Sequence, residues 1–489
     1  MRFFWILALV LAAPAVAHAE TLSAEQALGR AARQNAGLRA ALLDVAAAKR
    51  GVEAEQGARD PVFVASVTGG YTETAGAGAT GAGMSSERSL ATNAAVRYTT
   101  DVGTALEVGT SGDVAWRTPS TTLDEGPRYG AGAYVSARQP LLRGAGKDAQ
   151  LAPQRAASAS ARAAELSREA TASQLALDVI SAYWELWYAE QAVLVQQKAL
   201  ETAKKQLADA QIREGQLGTA SKADVLQFLS NVASIEDALS QAVATRDSRA
   251  FELGRLLGME PASAGALNAG GDLPALGPPA PTPVLYEQAL NRSPELGAMR
   301  ADLDASRVEL GAAEDADQPR LDLFATASTG LLWSNGQSAG LDLAGGRPAY
   351  SVVGGVELEL PIGGGRAEAD AARSRLRLDS AQARYQERSL AVTSQVGSLR
   401  TGVEAARVQS ELAAQSAQVA RDLAEAERQR LLLGTTTASD VVLVEQSLRA
   451  AELRALRARV NRVVTQYQLE HVTGALLPRF GALFGGKTS

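Results

Sequence analysis

The spacing of apolar residues predicts two unusually long helices. Apolar positions recur every seven residues over residues 149–214 and again over residues 366–433, which is the spacing of coiled-coil helices. The repeated positions are Val179, Leu186, Val193, Leu200 and Leu207 in the first stretch and Leu412, Val419, Ala426 and Leu433 in the second. At 1.5 Å per residue, each helix would extend for roughly 100 Å. The heptads on their own fit an ordinary elongated coiled coil.

Four shorter stretches alternate between apolar and polar residues and predict β-strands. They are residues 61–73, 129–140, 319–333 and 350–361. About ten residues with one apolar and one polar face is the length and pattern of a strand that crosses an outer membrane. A soluble antiparallel sheet with one solvated face fits the same pattern. Residues 93–117 allow an additional hairpin, so the chain has four or six strands. Either number is too small to close a membrane barrel, and membrane-spanning strands would require several chains.

These elements occur twice, in the order helix, strand, strand, long helix, turn and helix. The sequence predicts a first repeat at residues 20–260 and a second at residues 284–475. A Pro- and Gly-rich linker at residues 261–283 is predicted to run over the surface between them, and residues 476–489 form a tail. The shorter helices are predicted at residues 23–59, 221–257, 283–317 and 437–475.

Both long helices are predicted to end in the same turn, at residues 214–221 and 433–437. The matched residues are Gly218, Thr219, Ser221 and Asp224 in the first copy and Gly434, Thr435, Thr437 and Asp440 in the second. Each glycine is predicted to end its helix in the left-handed conformation. Each hydroxyl residue stands three positions before its aspartate, which is the spacing of a capping box with Ser221 or Thr437 at the N-cap.

Composition excludes several classes of function. A net charge of −6 argues against nucleic-acid binding. Residues 1–19 have the basic start, apolar core and A-x-A site of a secretory signal peptide. The absence of cysteine excludes disulfides, thiolate zinc sites and a lipid anchor on an N-terminal cysteine. Beyond the signal peptide the only histidine is His471, and a single histidine near a helix end is typical of a surface or dipole-facing residue. We therefore expect no catalytic residue, no cofactor and no metal site.

The duplicated turns and the proline-bounded strand ends RQPLLRG and ELPIGGG closely resemble the TolC-like outer-membrane efflux protein family. The resemblance covers nearly all of the chain beyond the signal peptide. It implies an α+β membrane protein: a homotrimeric 12-stranded outer-membrane β-barrel with four strands per chain, continued by a long periplasmic α-helical coiled-coil barrel. It also implies a Gram-negative outer-membrane location. The implied partners are outer-membrane lipid, a periplasmic adaptor protein and an inner-membrane pump or secretion ATPase.

By position, the resemblance assigns Asp440 to an acidic ring at the narrowest point of the channel, and Asp224 to the equivalent place in the first repeat. Three copies of one carboxylate around a narrow pore would attract cations and repel anions. Thr436 stands where the family has an arginine of its closing network, and Leu443 where it has a second acidic position, so an ion-pair lock is not expected there. The turn residues expected to meet the adaptor are Gly218, Thr219, Gly434 and Thr435. Helix capping alone is the alternative role for both aspartates.

Two function hypotheses follow from the sequence. The first is a passive exit duct of a tripartite efflux or type I secretion system, and the second is a soluble periplasmic coiled-coil structural or adaptor protein. The strand residues Arg138 and Glu359 occupy equivalent places in the two repeats, on the polar side. They are expected either to form a charged ring at the periplasmic end of the barrel or to be solvated charges in its lumen.

Overall fold

The computed structural model describes residues 20–78, 81–118, 127–217, 221–334, 349–360, 362 and 365–484. The predicted signal peptide, and Gly218 and Thr219 of the first turn, lie outside these residues. The chain divides into two compact units. The helical unit comprises Met1–Asp44, Glu165–Ala298 and Gln386–Ser489, and the sheet unit comprises Val45–Ala164 and Met299–Tyr385.

Helices and strands are both present, as the predicted α+β class requires. The helices are α1 (Ala24–Gln34), α2 (Ala36–Gly57), α3 (Gly146–Ile212), α4 (Lys222–Leu256), α5 (Pro261–Ala264), α6 (Thr282–Arg292), α7 (Pro294–Ala316), α8 (Arg366–Leu432), α9 (Ala438–Val472) and α10 (Leu476–Phe480). The strands are β1 (Glu20–Leu22), β2 (Val62–Gly78), β3 (Gly81–Thr99), β4 (Ala105–Thr118), β5 (Arg128–Pro140), β6 (Leu267–Ala269), β7 (Arg320–Ser334) and β8 (Ala349–Glu359). Helices α3 and α8 both have 67 residues, and α4 and α9 both have 35. This agreement in length supports the predicted internal repeat.

Each predicted first helix is interrupted once, which the sequence analysis missed. Asn35 separates α1 from α2 in an extended conformation, with φ −66° and ψ 124°, and Ser293 separates α6 from α7 with φ −62° and ψ 118°. The Asn35 side chain accepts a hydrogen bond from the Leu38 amide at 3.0 Å and donates one to the Leu256 carbonyl at 3.0 Å. At the second break, Pro294 has no amide hydrogen to donate and stands at the first position of α7. Polar or proline residues therefore restart the helix at both places.

The large sheet has six antiparallel strands in the order β2-β3-β4-β5-β7-β8. The prediction of four strands per chain is therefore wrong, and the alternative of an additional hairpin is correct. This hairpin consists of β3 and β4 and begins earlier than residue 93, at Gly81. Its start is rich in Gly, Ala and Ser, which have low strand propensity and hide the alternation.

The predicted surface linker packs against the helical unit. Strand β6 of the linker pairs in parallel with β1, and Leu267 is fully buried. Helices α3 and α4 hold the linker through hydrogen bonds to its backbone: Trp187 of α3 donates one to the Gly271 carbonyl at 3.1 Å, and Arg246 of α4 donates one to the Leu267 carbonyl at 2.6 Å. The segment therefore covers the core of the helical unit. That core contains the predicted α3 seam residues Val179 and Leu186, both fully buried.

The predicted seam of α8 faces outwards. Its buried positions also repeat every seven residues, but they are Val396, Val403, Ser410, Ala417 and Ala424. The predicted positions lie two residues further along, and three of them are among the most exposed apolar residues of this segment: Leu412 (58%) and Val419 (66%) in α8, and Leu433 (78%) directly after it. A heptad pattern identifies an apolar stripe but not the helix that covers it. Within the described part of the single chain, no helix covers this stripe.

Candidate functional site: the helix turn and the two faces of the sheet

The turn between α8 and α9 is formed by a left-handed glycine and a double backbone cap. Gly434 has φ +71°, a conformation that glycine adopts without strain. Its amide donates a hydrogen bond to the Leu431 carbonyl at 3.1 Å, and the Thr435 amide donates one to the Arg430 carbonyl at 3.0 Å. These two bonds are those of a Schellman motif, which satisfies carbonyl groups at the end of a helix. The predicted role of Gly434 as a helix terminator agrees with this geometry.

Asp440 closes the capping box at the start of α9. The Asp440 amide donates a hydrogen bond to Thr437 Oγ1 at 3.3 Å, and the Thr437 amide donates one to Asp440 Oδ2 at 3.2 Å. Oδ2 also accepts from Thr437 Oγ1 at 2.7 Å and from Thr436 Oγ1 at 3.2 Å. The hydrogen bonds from the side chain and backbone of Thr437, and then from Thr436, lower the pKa of Asp440. The exposed carboxylate is therefore ionised at neutral pH, as a role in a cation-attracting ring would require.

The first turn repeats this cap in the part that the structure describes. Residues Arg213–Leu217 form a π-helical turn at the end of α3. The Ser221 amide donates a hydrogen bond to Asp224 Oδ2 at 2.9 Å, and the Asp224 amide donates one to Ser221 Oγ at 3.2 Å. Both aspartates thus act as helix caps. Capping does not exclude a second role for the exposed carboxylates.

In the helical unit, the ends of α3, α4 and α9 next to the two turns pack over one small apolar cluster. Its buried members are Ala210, Phe228, Ala438 and Val442, which come from α3, α4 and α9. Beside it is a groove of about 420 Å³ lined by residues of both turns, among them Asp224, Gly434, Thr436 and Thr437. Asp440 is not among the residues that line this groove. The structure therefore places Asp224 next to the second turn. The Asp440 carboxylate is exposed to solvent outside the groove.

An ion-pair network next to the turns was not predicted from the sequence. Glu445 Oε1 of α9 accepts hydrogen bonds from Arg428 Nε of α8 at 2.6 Å and from Gln206 Nε2 of α3 at 2.9 Å. Glu445 therefore connects three helices near the turns, away from Thr436, where the family arginine was expected. A sequence signal for it is weak, because charged residues are frequent throughout α8 and α9.

His471 is not a simple surface residue. Its ring is half-buried, and Nδ1 lies 2.8 Å from Ser173 Oγ. Burial lowers its pKa below the usual 6.5, although Asp178 and Glu295 oppose the shift. Together with Arg388, these residues line a cavity of about 830 Å³ in the helical unit. Among the described residues, no group of three or more acidic, histidine or cysteine side chains is arranged to hold a metal ion.

One face of the large sheet carries charged residues paired between neighbouring strands. Its ion pairs include Arg97–Glu107 at 2.9 Å, Arg117–Glu87 at 3.0 Å between Nε and Oε2, Arg138–Asp322 at 3.0 Å and Arg138–Glu357 at 2.5 Å. Arg138 and Glu359, which the sequence singled out, do not pair with each other. Arg138 binds Asp322 and Glu357, and Glu359 lies near Arg143 at 3.4 Å and Arg320 at 3.7 Å. Both residues therefore belong to charged clusters on the polar face.

The opposite face of the sheet is apolar and exposed across its whole width. Every strand of the sheet except β7 contributes at least one apolar residue that is more than half exposed, such as Val67, Met84, Val108, Val135 and Val352; β7 contributes Leu323, which is 48% exposed. Aromatic residues lie towards both ends of the strands, with Phe63 and Tyr98 at one end and Trp116 and Tyr350 at the other, while Tyr71 lies at the middle of β2. An exposed apolar face of this extent is unusual on a soluble monomer, and it requires lipid or protein to cover it.

In the part of the chain that the structure describes, no helix is both long and apolar enough to cross a bilayer.

The fold is similar to several solved structures. A membrane protein from Pseudomonas aeruginosa aligns with a TM-score of 0.69 and 19% identity, over 92% of this chain and 93% of that one. The outer-membrane channel OprN aligns with a TM-score of 0.66 and 19% identity, over 92% and 90%. The CmeC outer membrane channel of Campylobacter jejuni aligns with a TM-score of 0.69 and 17% identity, over 93% and 86%. The chain therefore has the fold of outer-membrane channels.

The sequence itself identifies the family of the second repeat. Residues 285–475 match the outer membrane efflux protein family. No curated protein matches the sequence. Over these residues the family match confirms the resemblance predicted from the sequence, and the description of the family agrees with the outer-membrane location and the efflux role that the resemblance implies. The matched family and the similar structures are channels rather than enzymes.

Proposed function

We propose that the protein is the exit channel of a tripartite efflux or type I secretion system in a Gram-negative outer membrane. In this proposal three copies assemble, their sheets form a β-barrel in the membrane, and their helices form a tunnel in the periplasm. The channel is passive: an inner-membrane pump or secretion ATPase drives the cargo, and a periplasmic adaptor protein joins the two. The two turns form the periplasmic tip, where Gly434 and Thr435 meet the adaptor.

The observation that carries this proposal is the two-faced sheet. Its apolar face is exposed, and its charges pair with one another on the other face. This is the arrangement of a membrane barrel, with lipid outside and water inside. Such a face is not expected on a soluble coiled-coil adaptor, because exposed apolar residues such as Val352 and Val356 would promote aggregation in water.

The outward-facing stripe of α8 supports assembly from several copies. Leu412, Val419 and Leu433 repeat at heptad spacing and are largely exposed in one chain. Heptad residues of this kind are normally covered by a second helix. A neighbouring copy of the chain would supply that helix, and it would also pair with the free edges of β2 and β8. Both needs are met by a closed ring of identical chains.

Reconstitution into planar bilayers tests the channel function. We expect the purified protein to produce discrete conductance steps, which are small because the tip is narrow, and protein denatured before addition to produce none. A soluble coiled-coil protein would instead be recovered from the periplasmic extract and leave the bilayer conductance unchanged. That result would refute the proposal.

A further inference from the structure

The hairpin formed by β3 and β4 lies inside the sheet rather than at its margin. Strand β3 pairs with β2 from Val62 opposite Arg97 to Gly78 opposite Gly81. Strand β4 pairs with β5 from Ala105 opposite Arg138 to Ala115 opposite Arg128. In the described sheet β2 has no other neighbour, because it reaches β5 only through the hairpin. If the hairpin lay outside a membrane barrel, β2 would have no partner on this side, which lipid does not tolerate.

The hairpin also continues both faces of the sheet. On the apolar side, Leu90, Val96, Leu106, Val108 and Trp116 are exposed in line with the apolar residues of the other strands. On the polar side, Arg97 and Glu107 pair across the hairpin, and Tyr134 of β5 donates a hydrogen bond to Glu107 at 2.7 Å. The hairpin therefore has the lipid-facing and water-facing sides that a barrel strand requires.

We propose that each chain contributes six strands to the membrane barrel, so that three chains build a barrel of eighteen. The number of six strands per chain follows from the hydrogen-bonded sheet. The number of three chains per barrel rests on the proposed function. The free edges fit this closure, because an even number of strands makes β2 and β8 run in opposite directions. The edge of β8 therefore pairs with β2 of the next copy in the antiparallel manner of the rest of the sheet.

The additional hairpin widens the outer pore. With strands about 4.8 Å apart and tilted by about 40°, eighteen strands give a backbone diameter of roughly 36 Å, against roughly 24 Å for twelve. Side chains extend about 5 Å into the lumen on each side, half the spacing of packed sheets. The free width is then roughly 26 Å instead of roughly 14 Å. Since a helix with side chains is about 10–12 Å wide, the wider lumen admits two helices side by side and the narrower one admits one.

The cargo class that this width allows is a partly folded polypeptide or another solute of similar cross-section. Every strand of the hairpin adds charged or polar groups to the lumen, including Asn93, Ser111 and Asp113. A wide, water-filled lumen lined by paired charges of both signs binds no single charge type strongly. The barrel therefore does not select the cargo. In this proposal the cargo is selected before it reaches the barrel, on the periplasmic side of the membrane.

Exclusion of neutral polymers measures the width directly. Polyethylene glycols of increasing size are added to the outer side of channels in a planar bilayer, and the change in channel conductance shows which sizes enter the lumen. The complete chain is compared with a variant that lacks residues 81–118. This deletion joins β2 to β5 through the residues that remain between them and leaves four strands. We expect the complete chain to admit polymers of about twofold larger radius than the variant does, from the widths above. An equal size limit in both proteins would overturn the proposal.

Single cysteines test the same point in case the shortened chain does not assemble. The chain has no native cysteine, so each introduced thiol is unique. Val108→Cys and Ser111→Cys report the two faces of β4, and Val352→Cys and Ser351→Cys are the matched controls on β8. In outer membranes we expect a water-soluble maleimide to label both serine positions at least tenfold faster than both valine positions.

The labelling separates this inference from the proposed function. If the β8 pair differs and the β4 pair is labelled equally, the hairpin lies outside the barrel and the inference fails, while the channel proposal survives. If neither pair differs, the sheet does not span the membrane, and both proposals fail.

Discussion

Substituting alanine at two glycines in the left-handed conformation distinguishes the cost of backbone strain from the cost of steric overlap. Gly434 follows α8 and Gly474 follows α9, with φ +71° and +70°. Among the described residues, no atom lies within 4 Å of a Cβ built at Gly434, whereas a Cβ at Gly474 would lie 2.5 Å from the backbone oxygen of Arg292. The left-handed conformation costs a residue other than glycine about 1–2 kcal/mol. Overlap with atoms that cannot move away adds about 1–3 kcal/mol. We therefore expect Gly434→Ala to cost about 1–2 kcal/mol and Gly474→Ala about 2–5 kcal/mol.

Hydrogen exchange measured by mass spectrometry tests these values locally. The free energy of opening is compared for peptides that cover residues 430–445 and residues 465–480, in the intact protein and in each variant. Gly434→Ala should lower the opening free energy of the first peptide only, because the turn has open space around it. Gly474→Ala should lower that of the second peptide, and by the larger amount. Equal losses in the two variants, or no loss in either, would refute the argument from Cβ distances.

Three further predictions concern the caps and the buried histidine. Asp440→Asn should reduce the cation selectivity of the channel in planar bilayers, whereas Asp224→Asn should mainly speed proteolysis at its turn; unchanged selectivity would leave capping as the whole role of Asp440. Asn35→Ala removes the side chain that bridges the Leu38 amide and the Leu256 carbonyl. It should cost about 1–2 kcal/mol, visible as faster exchange over residues 33–40, and unchanged exchange would contradict the capping role. Because burial lowers the pKa of His471, the unfolded chain takes up its proton at higher pH than the native one. Stability in urea should therefore be complete above about pH 6.5 and fall below it, and His471→Gln should flatten this dependence.

The long helices and their turns could be predicted because local signals determine them. The helix α3 begins within three residues of its predicted start, and α8 spans the predicted residues almost completely. The capping boxes of Ser221 and Thr437 have the predicted hydrogen bonds, because the groups involved are only three residues apart. The roles of Asp440 and Asp224 in a pore stay predictions, since they depend on how three chains meet.

The features that could not be predicted from the sequence, namely the strand number, the partner of the α8 stripe and the packing of the linker, depend on contacts between distant residues. Six strands were as compatible with the pattern as four, because the start of the hairpin is dominated by small residues. Leu412 and Val419 repeat at heptad spacing, but the spacing does not show which helix covers such a stripe, and in this chain the buried positions of α8 lie two residues earlier. The linker looked like surface because of its Pro and Gly content, yet Leu267 is buried by residues more than 70 positions away, such as Tyr183. Hydrogen bonds to its backbone are what hold it there.

Membrane extraction tests the central claim, that this chain is a trimeric channel of the outer membrane, most directly. The protein is produced in a Gram-negative host, the outer-membrane fraction is washed with alkaline carbonate, and the mass of the detergent-solubilised species is measured. The account predicts that the protein stays in the washed membranes and has the mass of three chains. Release of a soluble monomer by the wash would contradict it.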